Sequence, residues 1–284
     1  MTEPSLPPLN IPSILRQYGL HPRRSLGQNF LQDEKVLRNI VSLAEVDPGD
    51  EVLEIGPGLG SLSRHLALAS HSVTVVELDG SLIPALGSIL APYKNVRIIH
   101  EDILTLDPAD LMSAPRYLVV ANIPYYITSA VIRHLLESTV PPRRLVLTVQ
   151  AEVAERICAQ PGDMSLLALS VQVYGIPAIV RHISREAFYP SPNVDSAVVR
   201  IDLLPEPLIP VGSLEEFFRL AKAGFGQKRK TLRNSLASLV GKERSGPLLE
   251  TAGIDPMRRA ETLSLEEWGK ITAYYSLNRS LLPR

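Results

Sequence analysis

From about residue 34 the apolar positions alternate between two periods. Asp33 is placed as the N-cap of an amphipathic helix that runs through Ala44. Pro48-Gly49-Asp50 then reads as a turn. Short, nearly all-apolar runs follow at residues 52–55, 73–76, 96–99, 117–121 and 145–149. Helical stretches at 61–69, 81–90 and 129–137 lie between them. Strands this apolar are buried on both faces, and their alternation with helices predicts a parallel sheet covered on both sides. A helix is expected near 152–159. Residues 166–174, 178–183 and 197–203 read as further strands, finishing the sheet in antiparallel fashion. Pro205, Pro207 and Pro210 mark a linker, and helices are expected beyond it at 214–223, 231–239, 246–252 and 265–276. The predicted organisation is an irregular tail over 1–22, rich in proline (Pro4, Pro7, Pro8, Pro12), an α/β domain over 23–204 and a small helical domain over 205–284.

Composition sets limits on function. The chain has 284 residues, 45% of them hydrophobic and 21% charged, which is ordinary for a soluble globular protein. Its one cysteine, Cys158, excludes an internal disulfide and points to a reducing compartment. The first residues show no basic segment leading into an apolar core, so no signal peptide is read there, and no stretch is long and apolar enough to span a membrane. The expectation is a cytoplasmic monomer. The six histidines show no metal-ligand spacing, and no metal is expected. Charge is uneven. Residues 201–284 carry 13 Lys and Arg against 10 Asp and Glu, whereas residues 1–200 carry 16 against 20. The basic excess is concentrated in Lys222, Lys228, Arg229, Lys230 and Arg233, a candidate contact for nucleic-acid phosphates. A solvated helix face is the alternative. Arg23 and Arg24 are candidates for the same phosphate role.

The chemistry gathers at strand ends. Glu54-Ile55-Gly56-Pro57-Gly58-Leu59-Gly60 joins the first strand to its helix, and glycines there allow a tight turn and close approach of a ligand. Glu77 closes the second strand, placed to accept hydrogen bonds from a ribose. The spacing is G-x-G-x-G rather than the G-x-G-x-x-G of dinucleotide folds. An acid, Glu54, also precedes the loop, which disfavours a pyrophosphate and favours a ligand bearing positive charge. S-adenosylmethionine, with its sulfonium and ammonium, fits better than NAD. Asp102, after the third strand, could accept from the adenine amine of that cofactor.

Asn122-Ile123-Pro124-Tyr125 follows the fourth strand. The Asn122 amide and the Ile123 carbonyl offer two acceptors, Pro124 withholds an N–H from the sheet ladder, and Tyr125 offers a stacking face. Such a cup suits a flat ring with an exocyclic amine, such as adenine. A plain turn after a strand is the alternative.

Together these residues resemble the ribosomal RNA adenine dimethyltransferase family. The resemblance runs from about residue 23 to nearly the end of the chain. It rests on six motifs in order: Ser25-Leu26-Gly27-Gln28-Asn29-Phe30-Leu31, the glycine loop, Glu77, Asp102, Asn122 to Tyr125, and Phe188-Tyr189-Pro190-Ser191-Pro192-Asn193-Val194-Asp195-Ser196. The basic segment Ala223-Gly224-Phe225-Gly226-Gln227-Lys228-Arg229-Lys230-Thr231-Leu232-Arg233-Asn234 resembles the start of the family's small helical domain. Ala151 stands where a lysine is usual and Ala260 where a proline is common.

The resemblance implies a Rossmann-like methyltransferase sheet and a helical RNA-binding domain. It also implies transfer of methyl groups from S-adenosylmethionine, without a metal, to N6 of two adjacent adenines near the 3′ end of small-subunit ribosomal RNA, in an immature small subunit. It implies cofactor contacts from Asn29, Leu31, Gly56, Gly58, Gly60, Glu77, Asp102 and Asn122. Asn122, Ile123, Pro124, Tyr125 and Phe188 would receive the target base. The large-subunit branch of the family, DNA adenine methylation and a ribosome-assembly factor with secondary catalysis are the competing readings.

Overall fold

The computed structural model describes residues 6–113 and 116–277. Pro4 and the rest of residues 1–5 lie outside it. The remainder of the predicted irregular tail contains a helix, α1 (Ile11–Gln17). Asn10 caps it by accepting the Ser13 N–H at 3.0 Å, and Pro12 falls in the first turn, where no N–H is required. Proline breaks a helix interior but suits its start, so the proline-rich composition pointed the wrong way here. Ile11 and Leu15 are buried against Phe30, Leu59, Leu82 and Ala85.

The chain then forms β1 (Phe30–Leu31) and α2 (Glu34–Ala44), with Asp33 accepting from the Lys35 and Val36 N–H groups. The α/β alternation follows as β2 (Glu51–Ile55), α3 (Ser61–Ala69), β3 (Ser72–Glu77), α4 (Ile83–Leu90), β4 (Val96–His100), α5 (Pro108–Leu111), β5 (Leu118–Asn122), α6 (Thr128–Leu136) and β6 (Arg144–Gln150). After α7 (Ala151–Ile157) and α8 (Leu166–Gln172) come β7 (Gly175–Ile183), β8 (Phe188–Tyr189) and β9 (Ser196–Leu203). The main sheet has seven strands in the order β4-β3-β2-β5-β6-β9-β7. Its first five strands are mutually parallel, and β9 runs antiparallel to β6. Val52, Leu53, Val73, Val75, Leu118, Val119, Val120, Leu145, Val146 and Leu147 are all buried, as the continuous apolar runs require. The strand order reverses between β2 and β5. Such a reversal opens a crevice at the carboxyl ends of the two strands, where open α/β sheets bind their ligands. The glycine loop leaves β2 there and the Asn122 segment leaves β5.

The chain forms two compact units. One holds residues up to Ala154 together with Ala178–Leu203, and the other holds Glu155–Pro177 with everything from Leu204 onward. The second unit therefore takes residues 155–177, which the sequence pattern placed with the sheet. Its elements are α8, α9 (Leu214–Phe225), α10 (Leu232–Val240), α11 (Lys242–Thr251) and α12 (Leu265–Leu277). Residues 166–174, expected as a strand, form α8 instead. Ser165 caps it by accepting the Ala168 N–H at 3.1 Å, and Ala168, Leu169 and Val173 are buried with Phe217, Leu220, Leu236 and Trp268. A short apolar run has no period that separates strand from buried helix, and tertiary packing decided it. Trp268 is fully buried and stacked on Phe225 at 5.8 Å. It lies so close to Gly224 that a Cβ there would come within 2.5 Å of the indole.

Candidate functional site

A cavity opens at the carboxyl ends of β2, β3 and β5, and three segments build its walls. The first is Leu26-Gly27-Gln28-Asn29-Phe30-Leu31. The second is the glycine loop with Glu54, Gly56, Pro57 and Gly58, and the third is Asn122 to Ile127; Glu77, Leu82, Asp102 and Ile103 also line it. The structure thus brings together Asn29, Leu31, Gly56, Gly58, Glu77, Asp102, Asn122, Ile123, Pro124 and Tyr125, ten of the residues singled out from the sequence.

Two of the expected residues have other work. Gly60 is not on the cavity wall; it precedes α3 with φ +80°, and a Cβ there would press to 3.1 Å from Leu86 and 3.2 Å from Leu90, so it serves helix packing. Phe188 does not line the cavity either. It is 3% exposed, pairs through β8 with Leu31 of β1, and packs with Ile183, Ala187 and Val198. An aromatic two residues before a proline in a motif carries no label for burial, and here the ring belongs to the core.

The acids are held by the backbone. Glu77 is 6% exposed; its Oε2 accepts the Gly58 N–H at 3.0 Å and its Oε1 accepts the Asp79 N–H at 2.8 Å. Burial raises its pKa, and these hydrogen bonds oppose the rise. Glu54 is 1% exposed, and its Oε2 has no hydrogen-bond partner. Burial pushes its carboxyl up to about 8; the nearby Ser63 hydroxyl opposes this and the Glu77 charge adds to it. Ser63 Oγ stops short of a hydrogen bond to it, being itself unpartnered. Asp102 Oδ1 caps the turn that follows, accepting the Leu104 N–H at 3.0 Å.

A raised carboxyl makes stability depend on pH, and the sign is fixed. Below about pH 4.5 both folded and unfolded chains hold the Glu54 proton, whereas between 4.5 and about 8 only the folded chain does. Stability therefore falls as pH rises across that window, by at most roughly 5 kcal/mol at 1.4 kcal/mol per pH unit. Glu54→Gln keeps the shape and removes the titration. It should melt several degrees above the parent near about pH 9 and close to it near about pH 5. Melting curves for the two proteins that stay parallel across pH would remove the buried charge as the cause.

The Asn122 segment is rigidly oriented. Asn122 Nδ2 donates to the Asn29 carbonyl at 3.1 Å, which commits the amide nitrogen and leaves Oδ1 as acceptor. Tyr125 Oη is hydrogen-bonded to the buried Ser196 Oγ at 2.8 Å, so the ring cannot swing freely. Burial raises the tyrosine pKa, with Ser196 opposing and the Asp195 charge adding, so Tyr125 is a neutral ring at physiological pH. Tyr126, which the sequence reading passed over, is 56% exposed and also lines the cavity, its ring 3.4 Å from where a Cβ on Gly27 would stand.

The chain matches the family described as ribosomal RNA adenine dimethylase over residues 19–277. It belongs to that family. Among its relatives is the ribosomal RNA small subunit methyltransferase A of Dehalococcoides mccartyi strain CBDB1, 48% identical over 269 residues that cover 93% of this chain and 92% of the relative. The protein of the same name from Moorella thermoacetica is 45% identical over 273 residues, 92% of this chain and 94% of that one. Among solved structures, the 23S rRNA methyltransferase ErmE superposes with a TM-score of 0.71 at 29% identity, covering 87% of this chain and all, 100%, of that one. A dimethyladenosine transferase from Plasmodium falciparum shares the fold, with a TM-score of 0.77 at 24% identity over 88% and 98% of the two chains.

The basic residues divide between the units. Lys222, in the last turn of α9, Lys228, Arg229 and Lys230, between α9 and α10, and Arg233, in the first turn of α10, are all exposed. Arg24 is exposed too. Arg23 is half-exposed, but its Nη1 is paired at 3.1 Å with Asp79, whose side chain is 2% exposed. Its expected phosphate role therefore competes with an internal one. Asp79 was not recognised from the sequence. Asp79-Gly80-Ser81 reads as a turn after a strand, and its nearness to Glu77 was the sole signal.

Proposed function

We propose that this family member transfers methyl groups from S-adenosylmethionine to N6 of two adjacent adenines near the 3′ end of small-subunit ribosomal RNA, giving dimethyladenosine, on the immature small subunit in the cytoplasm. The observation that carries the reading is one cavity at the β2–β5 strand reversal. It holds the buried acids Glu54 and Glu77, with Asp102, on one side and the Asn122-Ile123-Pro124-Tyr125 acceptors on the other. The near-full-length relatives named for the small subunit support the substrate.

The cavity suits S-adenosylmethionine by its chemistry. Glu54 presents a buried carboxyl oxygen without a donor beside a second buried acid; burial alone holds it neutral, and a cationic ligand there would favour its ionised form. Glu77 is the ribose acceptor in this reading, and Asp102 accepts from the cofactor's adenine amine. Gly56 and Gly58 let the backbone come close; no Cβ could fit at Gly58 beside the Phe30 ring, 2.9 Å away. When bound, S-adenosylmethionine supplies a methyl group already activated by its sulfonium. The protein's own task is to position and polarise the amine. Asn122 Oδ1 and the Ile123 carbonyl accept from the exocyclic N–H groups and favour the positive charge that develops on nitrogen. The base must leave its stack, and the fixed Tyr125 ring receives it.

Labelled methyl transfer to undermethylated small and large ribosomal subunits, followed by nucleoside analysis, tests this. Dimethyladenosine in the small-subunit RNA alone is the expected result. Label in the large-subunit RNA would overturn the substrate, and no label in either would overturn the activity.

The exposed Lys228, Arg229 and Lys230 are assigned to RNA phosphates. Replacing all three by alanine should weaken RNA binding and flatten the slope of log affinity against log salt by roughly two, the value for three phosphate contacts. An unchanged slope in filter-binding titrations would return them to a solvated face.

A further inference from the structure

The segment Leu26 to Leu31 forms one wall of the cavity, yet it has little regular structure of its own. It is held at both ends of the site. On one side Asn29 offers its carbonyl to Asn122 Nδ2, and Gly27 lies against Pro124 and Tyr126. On the other, the fastening is a single buried carboxylate. Asp79 Oδ2 accepts from Gln28 Nε2 at 2.7 Å, and Asp79 Oδ1 takes the Arg23 guanidinium at 3.1 Å and the Ser81 N–H and hydroxyl at 3.1 and 2.7 Å. Gln28 is itself oriented, because its Oε1 accepts the Arg23 N–H at 2.8 Å. The Asp79 N–H in turn holds Glu77 Oε1.

We propose that Asp79 is a positioning residue that latches residues 23–31 over the donor cavity, and so sets both the wall against which S-adenosylmethionine binds and the carbonyl that orients Asn122. The proposal rests on the reading of this cavity as the S-adenosylmethionine site. Burial works against the Asp79 charge, but the hydrogen bonds from Ser81 and Gln28 and the Arg23 charge outweigh it and hold its pKa below the ordinary value. Folding therefore favours the charged form of Asp79. The two oxygens have partly separable duties: Oδ1 shapes the local turn through Ser81 and pairs with Arg23, whereas Oδ2 alone reaches 51 residues back along the chain to Gln28.

That division gives the test. In Asp79→Asn the remaining oxygen can keep the Ser81 turn, while the new NH2 faces the Gln28 NH2, donor against donor. Gln28 cannot turn its amide over without facing its NH2 to the Arg23 N–H. Combining Asp79→Asn with Gln28→Glu restores an acceptor for both donors at unchanged total charge. Calorimetry with S-adenosylmethionine should show a dissociation constant raised about tenfold in Asp79→Asn and returned to within about threefold of the parent in the swapped pair. Melting temperatures should differ little, because the turn is kept. Gln28→Ala, which removes the same bond from its other end, should raise the dissociation constant in the same way even where Asp79→Asn folds poorly. Unchanged affinity in Gln28→Ala and Asp79→Asn, or a swapped pair that melts like the parent but binds like the single variant, would overturn the latch while leaving the donor site standing. A parent protein that does not bind S-adenosylmethionine would overturn the donor site and the latch with it.

Discussion

Asn122→Ala should lower methyl transfer by about a hundred- to a thousandfold, the usual cost of removing one preorganised dipole from a site of developing charge. The nitrogen under attack in adenine is a weak nucleophile, since its lone pair is shared with the ring. Acceptors that engage its hydrogens in the transition state matter more than those that merely hold the ring. Asn122 ends β5 with its Nδ2 committed to the Asn29 carbonyl at 3.1 Å, so its oxygen is aimed before any ligand arrives. Alanine removes that oxygen, and with it the Nδ2 bond to the Asn29 carbonyl, but leaves the glycine loop, Glu77, Asp102 and the Asp79 fastening of residues 23–31 in place. The dissociation constant for S-adenosylmethionine should therefore rise by no more than about tenfold while the single-turnover rate falls far further. A rise in the dissociation constant that matched the loss in rate would assign Asn122 to cofactor binding and leave the amine without its chief acceptor.

How far the site could be read from the chain depends on the kind of signal each residue carries. The β2, β3 and β5 strands are continuous apolar runs, and the residues at their ends stand out because polar side chains interrupt that pattern: Glu54, Glu77 and Asn122 were all visible in this way. Asp102 was legible by its place after β4. What escaped were residues whose role depends on long-range geometry. Asp79 is a turn residue by local chemistry and a latch only because Gln28 and Arg23 return to it. Phe188 was misplaced for the converse reason, since an aromatic in a suggestive motif can equally face the core, and its pairing with Leu31 decides which. The second unit was legible as helices after the proline linker. The errors there, α8 read as a strand and residues 155–177 placed with the sheet, came from an apolar run whose partners, Phe217 and Trp268, lie far along the chain.

Gly58→Ala should weaken S-adenosylmethionine binding by about a hundredfold or beyond. Three separate demands meet at this residue. Its φ is +59°, a left-handed conformation that alanine adopts at a cost of about 1 kcal/mol. Its Cβ would stand 2.9 Å from two carbons of the Phe30 ring, closer than carbon atoms approach. Phe30 has little room to retreat, because it is packed with Ile11, Leu15, Leu59 and Leu82, and a shift the other way would enter the cavity that it lines. Its N–H, finally, is the donor that holds Glu77 Oε2 at 3.0 Å, so any shift of the loop loosens the acid assigned to the ribose. Relief of the clash alone is available through Phe30→Leu, which shortens the opposing side chain. Were the steric demand dominant, Gly58→Ala combined with Phe30→Leu would recover most of the affinity lost. Recovery of only a small part would show that the backbone conformation and the Glu77 hydrogen bond carry the effect. Full affinity in Gly58→Ala alone would mean that the glycine loop does not approach the cofactor, and the donor site would have to be sought elsewhere in the cavity.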